Sequence, residues 1–127
     1  MSLFFLEAYE HVRNDRAAEY ERRGDEVDKR VEELEPGMLI HAHTKISEDE
    51  NVTVYRWLEV FGKYEDIQVH MDNPHVQAHI GWLNSGALTK PVQIVIYCDW
   101  TEEQKAAVLQ LGGVDISFAP LINGYFR

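Results

Sequence analysis

Residues 73–83 read NPHVQAHIGWL, which sets His75 and His79 four positions apart with Trp82 close behind. Wound as a helix at ~100° per residue, His75, Val76, His79, Trp82 and Leu83 share one arc, and Gln77 and Gly81 lie behind it. The spacing therefore predicts two imidazoles turned inward beside an indole. Such a histidine can be a core residue satisfied by a carboxylate or carbonyl, half of a metal site, or the wall of a pocket that handles an organic molecule. The third reading draws on titration near neutral pH, which lets the ring take or hold a substrate proton.

A second pair, His41 and His43, alternates along HAHTKI and would place both rings on one face of a strand. HxxxH and HxH together are the material of a metal site, but the HExxH pattern is absent and the chain has a single cysteine, Cys98. The expectation is therefore no metal at His41, His43, His75 or His79. No Gly-rich phosphate loop, dinucleotide fingerprint or GxSxG elbow occurs, so no flavin or other cofactor is expected either. In VTVYRWLEVF, Thr53, Tyr55, Trp57, Glu59 and Phe61 fall on one face, and Val52, Val54, Arg56, Leu58 and Val60 on the other. Glu59, set among aromatics, is the natural partner of an inward histidine, orienting its tautomer or holding its proton. It could equally pair with Arg56 of a neighbouring subunit, or face water at a sheet edge.

These groups need elements to position them. LFFLEAY reads as a first strand. From Asp15 to about Glu35, Ala17, Tyr20, Gly24, Val27, Val31 and Leu34 form an apolar stripe on a charged helix, which Pro36 and Gly37 end. Gly24 in that stripe permits close approach of another backbone. MLIHAHTKI and NVTVYRWLEVF form a hairpin around SEDE, KYEDIQVHMD is a short helix, and Asn73-Pro74 starts the next helix, which breaks in NSG after Leu83. PVQIVIYCDW is a strand, Thr101 and Gln104 form a capping box for EEQKAAVLQL, and VDISFAPLI is a last strand. The order predicts one α+β domain with a mainly antiparallel sheet, helices on one face, and large side chains on both faces.

The chain has 127 residues, long enough for a real core, and a formal charge of −10 from 22 acidic and 12 basic side chains. That charge repels phosphate backbones and anionic lipid, so no nucleic acid and no membrane are expected as partners. One cysteine fits a reducing compartment, and MSLFFLEAYEH lacks the parts of a secretory signal; the expected location is cytoplasmic.

EPGML, WLEVFGKYEDIQVHMDNPHVQAHI and VIYCDW together resemble the antibiotic biosynthesis monooxygenase-like domains of the dimeric α+β barrel superfamily. The resemblance covers about residues 30–127. It implies a ferredoxin-like subunit, a homodimer joined through sheet faces, and a pocket between sheet and helices. It also implies one of two activities: cofactor-independent oxygenation of quinol- or anthrone-like aromatics, or haem degradation through an asparagine, a tryptophan and a histidine. His70 stands where that tryptophan is expected and the first strand offers no asparagine, which argues against haem. The expected site is then His79 as base or proton holder with Glu59, and Trp82, His75, Tyr55, Trp57 and His43 as walls around a small aromatic ligand. A binding or structural dimer without catalysis is the alternative.

Overall fold

A computed structural model describes residues 4–125 and 127. The chain runs β1 (Phe5–Arg13), a 3-10 turn (Asn14–Arg16), α1 (Ala17–Leu34), β2 (Met38–Glu48), β3 (Val52–Phe61), α2 (Asp66–Asp72), α3 (Pro74–Trp82), a π-helical turn (Leu83–Ala87), β4 (Val92–Cys98), α4 (Glu102–Val108) and β5 (Val114–Pro120). The sheet is open, in the order β2-β3-β1-β4-β5. Its first four strands are antiparallel, the ferredoxin-like arrangement. The sheet is mainly antiparallel, as expected, with β5 alone parallel to its neighbour β4. The reason is the connection: α4 carries the chain back along the sheet, so the next strand must run the same way as the last.

β1 alternates strictly. Leu6, Ala8, Glu10 and Val12 are buried, and Phe5, Glu7, Tyr9 and His11 are half-buried on the other side. It is longer than LFFLEAY suggested, and residues 1–3 lie outside the described part. α1 buries Tyr20, Gly24, Val27 and Val31 against the sheet, the stripe its sequence spells out. It stops at Glu35, next to Pro36. Asn73 caps α3 by accepting the backbone N–H of His75 at 3.0 Å, and Pro74 occupies the first turn. Thr101 and Gln104 form the complete capping box of α4. Gly86, with φ 115°, reverses the chain after α3, a backbone state that favours glycine.

The packed helices lie on the inner face of the sheet, with Phe4, Leu6, Tyr20, Phe61, Leu83 and Ile96 at the heart of the core. The outer face carries Phe5 stacked on Tyr97 at 4.8 Å, and Tyr97 and Arg56 both hydrogen-bonded to Glu7, at 2.7 and 3.1 Å. Among the described residues no helix is long and apolar enough to cross a membrane.

Candidate functional site

The strand register builds the site. In the β2–β3 pair His41 lies opposite Glu59 and His43 opposite Trp57. On β1 Leu6 is opposite Glu59 and Ala8 opposite Trp57, so Glu10 follows next on the same inner face. α1, α2 and α3 close over this patch. Between them and the sheet is a cavity of ≈ 90 Å³, with Glu10, His41, Trp57, Glu59, His70 and His79 on one side and Leu6, Val27, Phe61, Ile67, Val76 and Ile96 among the apolar remainder. Outside it, between α1 and β2–β3, is a polar groove of ≈ 420 Å³ lined by Glu21, Asp28, His41, His43, Lys45, Tyr55 and Trp57. His41 and Trp57 border both spaces.

One wall is a chain of ionisable groups centred on Glu59. Its Oε2 lies 3.2 Å from His41 Nε2 and 3.2 Å from His70 Nε2. The other ring nitrogens are also engaged: His41 Nδ1 with Asp28 at 2.8 Å, and His70 Nδ1 with Glu35 at 2.9 Å. Asn73 Nδ2 donates to Glu35 at 2.9 Å and ties the chain to the start of α3. Burial opposes the charge on Glu59, but His70 and His41 beside it prevail and hold its carboxyl well below the usual range. Burial likewise opposes protonation of His70, yet Glu59 and the hydrogen bonds the ring donates to Glu35 and Glu59 push it up to about 10. His41 is raised for the same reasons, burial being outweighed by Glu59 and Asp28. This is a closed ionic clamp.

His79 is the opposite case. It is buried, it borders the cavity, and neither ring nitrogen has a hydrogen-bond partner among the described residues. Burial, and then the Arg23 charge, lower its pKa to about 4, so the ring is neutral near pH 7. Tyr20 lies 5.9 Å away, centroid to centroid, and Trp82 6.3 Å.

Glu10 completes the polar side. Its Oε1 accepts hydrogen bonds from the Tyr20 hydroxyl and from Trp57 Nε1, the latter at 3.1 Å. Burial raises its pKa to about 7, against the lowering effect of those bonds. Tyr20 O also lies 2.7 Å from His43 Nε2. The His43 ring stacks on Trp57 at 3.7 Å, with its other edge over Gly24, where an added Cβ would come within 3.0 Å of His43 Cε1. The close approach that Gly24 permits is thus made by a side chain rather than a backbone.

The structure brings His79, Glu59 and Trp57 into one cavity and separates the other expected residues from it. His75 is exposed, not inward. Asn73 is held inward by Glu35, which phases α3 so that Val76 and His79 follow on the buried side and His75 faces solvent. Trp82 is half-buried outside the cavity, beneath the Arg23 guanidinium at 4.7 Å. Tyr55 and His43 border the outer groove, where Tyr55 donates to Glu21 at 2.6 Å. Glu59 partners His41 and His70 rather than His79, and Arg56 pairs with Glu7 of its own chain. The sequence reading missed Glu10, Tyr20, His70 and Glu35. A charged residue in the buried register of β1 was the available signal for Glu10, had that strand been carried past Tyr9. Among the described residues no group of three or more His, Cys, Asp or Glu side chains is arranged to hold a metal ion.

No family model and no curated protein matches the sequence. Solved structures do match the fold. A Caulobacter crescentus protein provisionally named an antibiotic biosynthesis monooxygenase is 23% identical, with a TM-score of 0.67 over 80% of this chain and 92% of that one. A Deinococcus radiodurans protein with the same provisional name is 15% identical, with a TM-score of 0.64 over 78% and 93%. A conserved Methanosarcina mazei protein is 22% identical, with a TM-score of 0.61 over 76% and 92%. The chain thus has a ferredoxin-like α+β fold, that of antibiotic biosynthesis monooxygenase-like structures.

Proposed function

We propose that this protein is a cofactor-independent monooxygenase for a small hydroxylated aromatic, with His79 as the residue that receives the substrate hydroxyl. The observation that carries this reading is the orphaned His79 ring facing an apolar cavity. A buried polar group without a partner costs ~1–3 kcal/mol, a cost removed when a ligand hydroxyl bonds to it. The neutral ring accepts a hydrogen bond, and on proton transfer becomes an imidazolium facing a phenolate, so the charge pair forms inside the site. The deprotonated ring gives one electron to dioxygen, and the radical pair combines at carbon. Loss of water then leaves one oxygen atom in the product, and the second departs with the two hydrogens the substrate has lost. The apolar walls desolvate the ring.

The cavity is smaller than the ~150 Å³ that admits benzene in an engineered core, so a ring enters only when α3 shifts. The π-helical turn and Gly86 at the end of α3 provide the hinge. The same reading has two copies pairing through their outer sheet faces, because the described helices leave that face uncovered. Sedimentation equilibrium at micromolar concentration tests the pairing, and a monomer there removes it.

The deciding experiment is oxygen uptake with a panel of quinols and anthrones, with anaerobic controls. His79→Ala is expected to lose turnover while keeping wild-type circular dichroism. Failure of the whole panel to consume oxygen would leave a binding protein on this fold.

A further inference from the structure

Two spaces lie back to back at the sheet, an apolar cavity and a polar groove, and one line of hydrogen-bonded side chains joins them. Glu10 borders the cavity, His43 borders the groove, and the Tyr20 hydroxyl touches both, bonded to Glu10 Oε1 and 2.7 Å from His43 Nε2. We infer that Glu10, Tyr20 and His43 form a proton path between the cavity and the groove. It rests on the proposal that a proton is released in the cavity, but it can be tested without any substrate.

The geometry supports conduction in three ways. Both protein bonds to Glu10 fall on Oε1, which leaves Oε2 to meet a ligand or water in the cavity. Tyr20 donates to Glu10 as the structure stands; once Glu10 is protonated the hydroxyl turns to accept from Glu10 and donate to His43, so it takes a proton on its oxygen while its own passes to His43 Nε2. No phenolate then has to exist, which matters because burial and the neighbouring Glu10 strongly disfavour one. His43 is held in register by the Trp57 face on one side and Gly24 on the other, and its Nδ1 releases a proton as Nε2 gains one. The titratable neighbours are Glu59 and His41 on the Glu10 side, and His41, His79, Glu21 and Asp28 on the His43 side. Glu10 and His43 are both neutral or half-titrated near pH 7, so neither end of the path traps a charge.

The reporter is the Trp57 indole N–H, which donates to Glu10 at the cavity end of the path. Trp100 supplies the control, because its indole N–H is buried with no partner and lies off the path. Nitrogen-15-labelled protein transferred to D2O at pH 7 is followed by NMR. Trp57 is expected to exchange faster than Trp100, and Tyr20→Phe to slow Trp57 on the order of tenfold while Trp100 and the β1 and β3 amides keep their rates. Gly24→Ala, whose methyl displaces His43, should slow Trp57 by less. A Trp57 rate that Tyr20→Phe leaves unchanged, or that moves in step with Trp100, overturns the path. If Tyr20→Phe does not fold, Gly24→Ala and His43→Asn decide by the same comparison. Slowed exchange in a protein that oxidises no aromatic would keep the path and discard the oxygenase.

Discussion

His70 and His79 are nine residues apart, both buried, and both border the same cavity, yet they differ in almost every physical respect. His70 is bonded at both nitrogens and sits in the ionic chain Asp28–His41–Glu59–His70–Glu35. His79 has no bond at either nitrogen. The first is raised to about 10 and stays charged; the second is lowered to about 4 and stays neutral. A fully partnered buried histidine has its hydrogen-bonding capacity spent on its own protein. An unpartnered one keeps that capacity for something else, at a standing cost in stability.

The comparison breaks most directly at Glu59. Glu59→Gln removes the carboxylate that His41 and His70 share, leaving each ring one acidic partner, and a loss of about 3 kcal/mol in urea unfolding is expected. A loss below 1 kcal/mol would mean that Glu59 is not holding the clamp together.

The pH dependence of stability separates the two histidines by sign. A raised histidine pKa stabilises fully below its unfolded value of 6.5, and that contribution fades as pH rises towards about 10. Unfolding free energy should therefore fall between pH 7 and 10, and His70→Gln should flatten that limb. His79 acts oppositely. Its lowered pKa costs stability as pH falls from 6.5 through about 4, and His79→Leu should reduce that acid loss. Glu10 adds a separate term, since a raised carboxyl costs stability as pH climbs from 4.5 to about 7 and no more beyond.

Asn73→Ala removes both the α3 cap and the amide that binds Glu35, with an expected loss of about 1–2 kcal/mol. The smallest effect on stability is expected at His79. His79→Leu removes two unsatisfied nitrogens and should leave stability unchanged or raise it by ~1 kcal/mol, while abolishing the binding of any hydroxylated aromatic the wild type takes up. A large loss of stability with binding intact would reverse the contrast between the two histidines.

Much of this was legible along the chain because it depends on near neighbours. The Tyr20–Gly24–Val27–Val31 stripe, the Asn73-Pro74 start of α3, the Thr101–Gln104 box and the two faces of β3 are set by capping, backbone sterics and periodicities of 3.6 and 2. His79 could be placed on a buried face for the same reason. What reading along the chain could not supply was which residues meet across the sheet. His41 faces Glu59 and His43 faces Trp57 only because of the β2–β3 register, which shifts at an irregularity between Lys45 and Ser47 that no simple count from the turn reproduces. His70 meets Glu35, 35 positions away, and Glu10 meets Trp57, 47 positions away. Even His75 turned outward because Glu35, on a different element, fixed the phase of α3 through Asn73. Periodicity tells which side chains point into the interior. Which of them find a partner there, and which is left free for a ligand, is decided by contacts between elements distant in sequence.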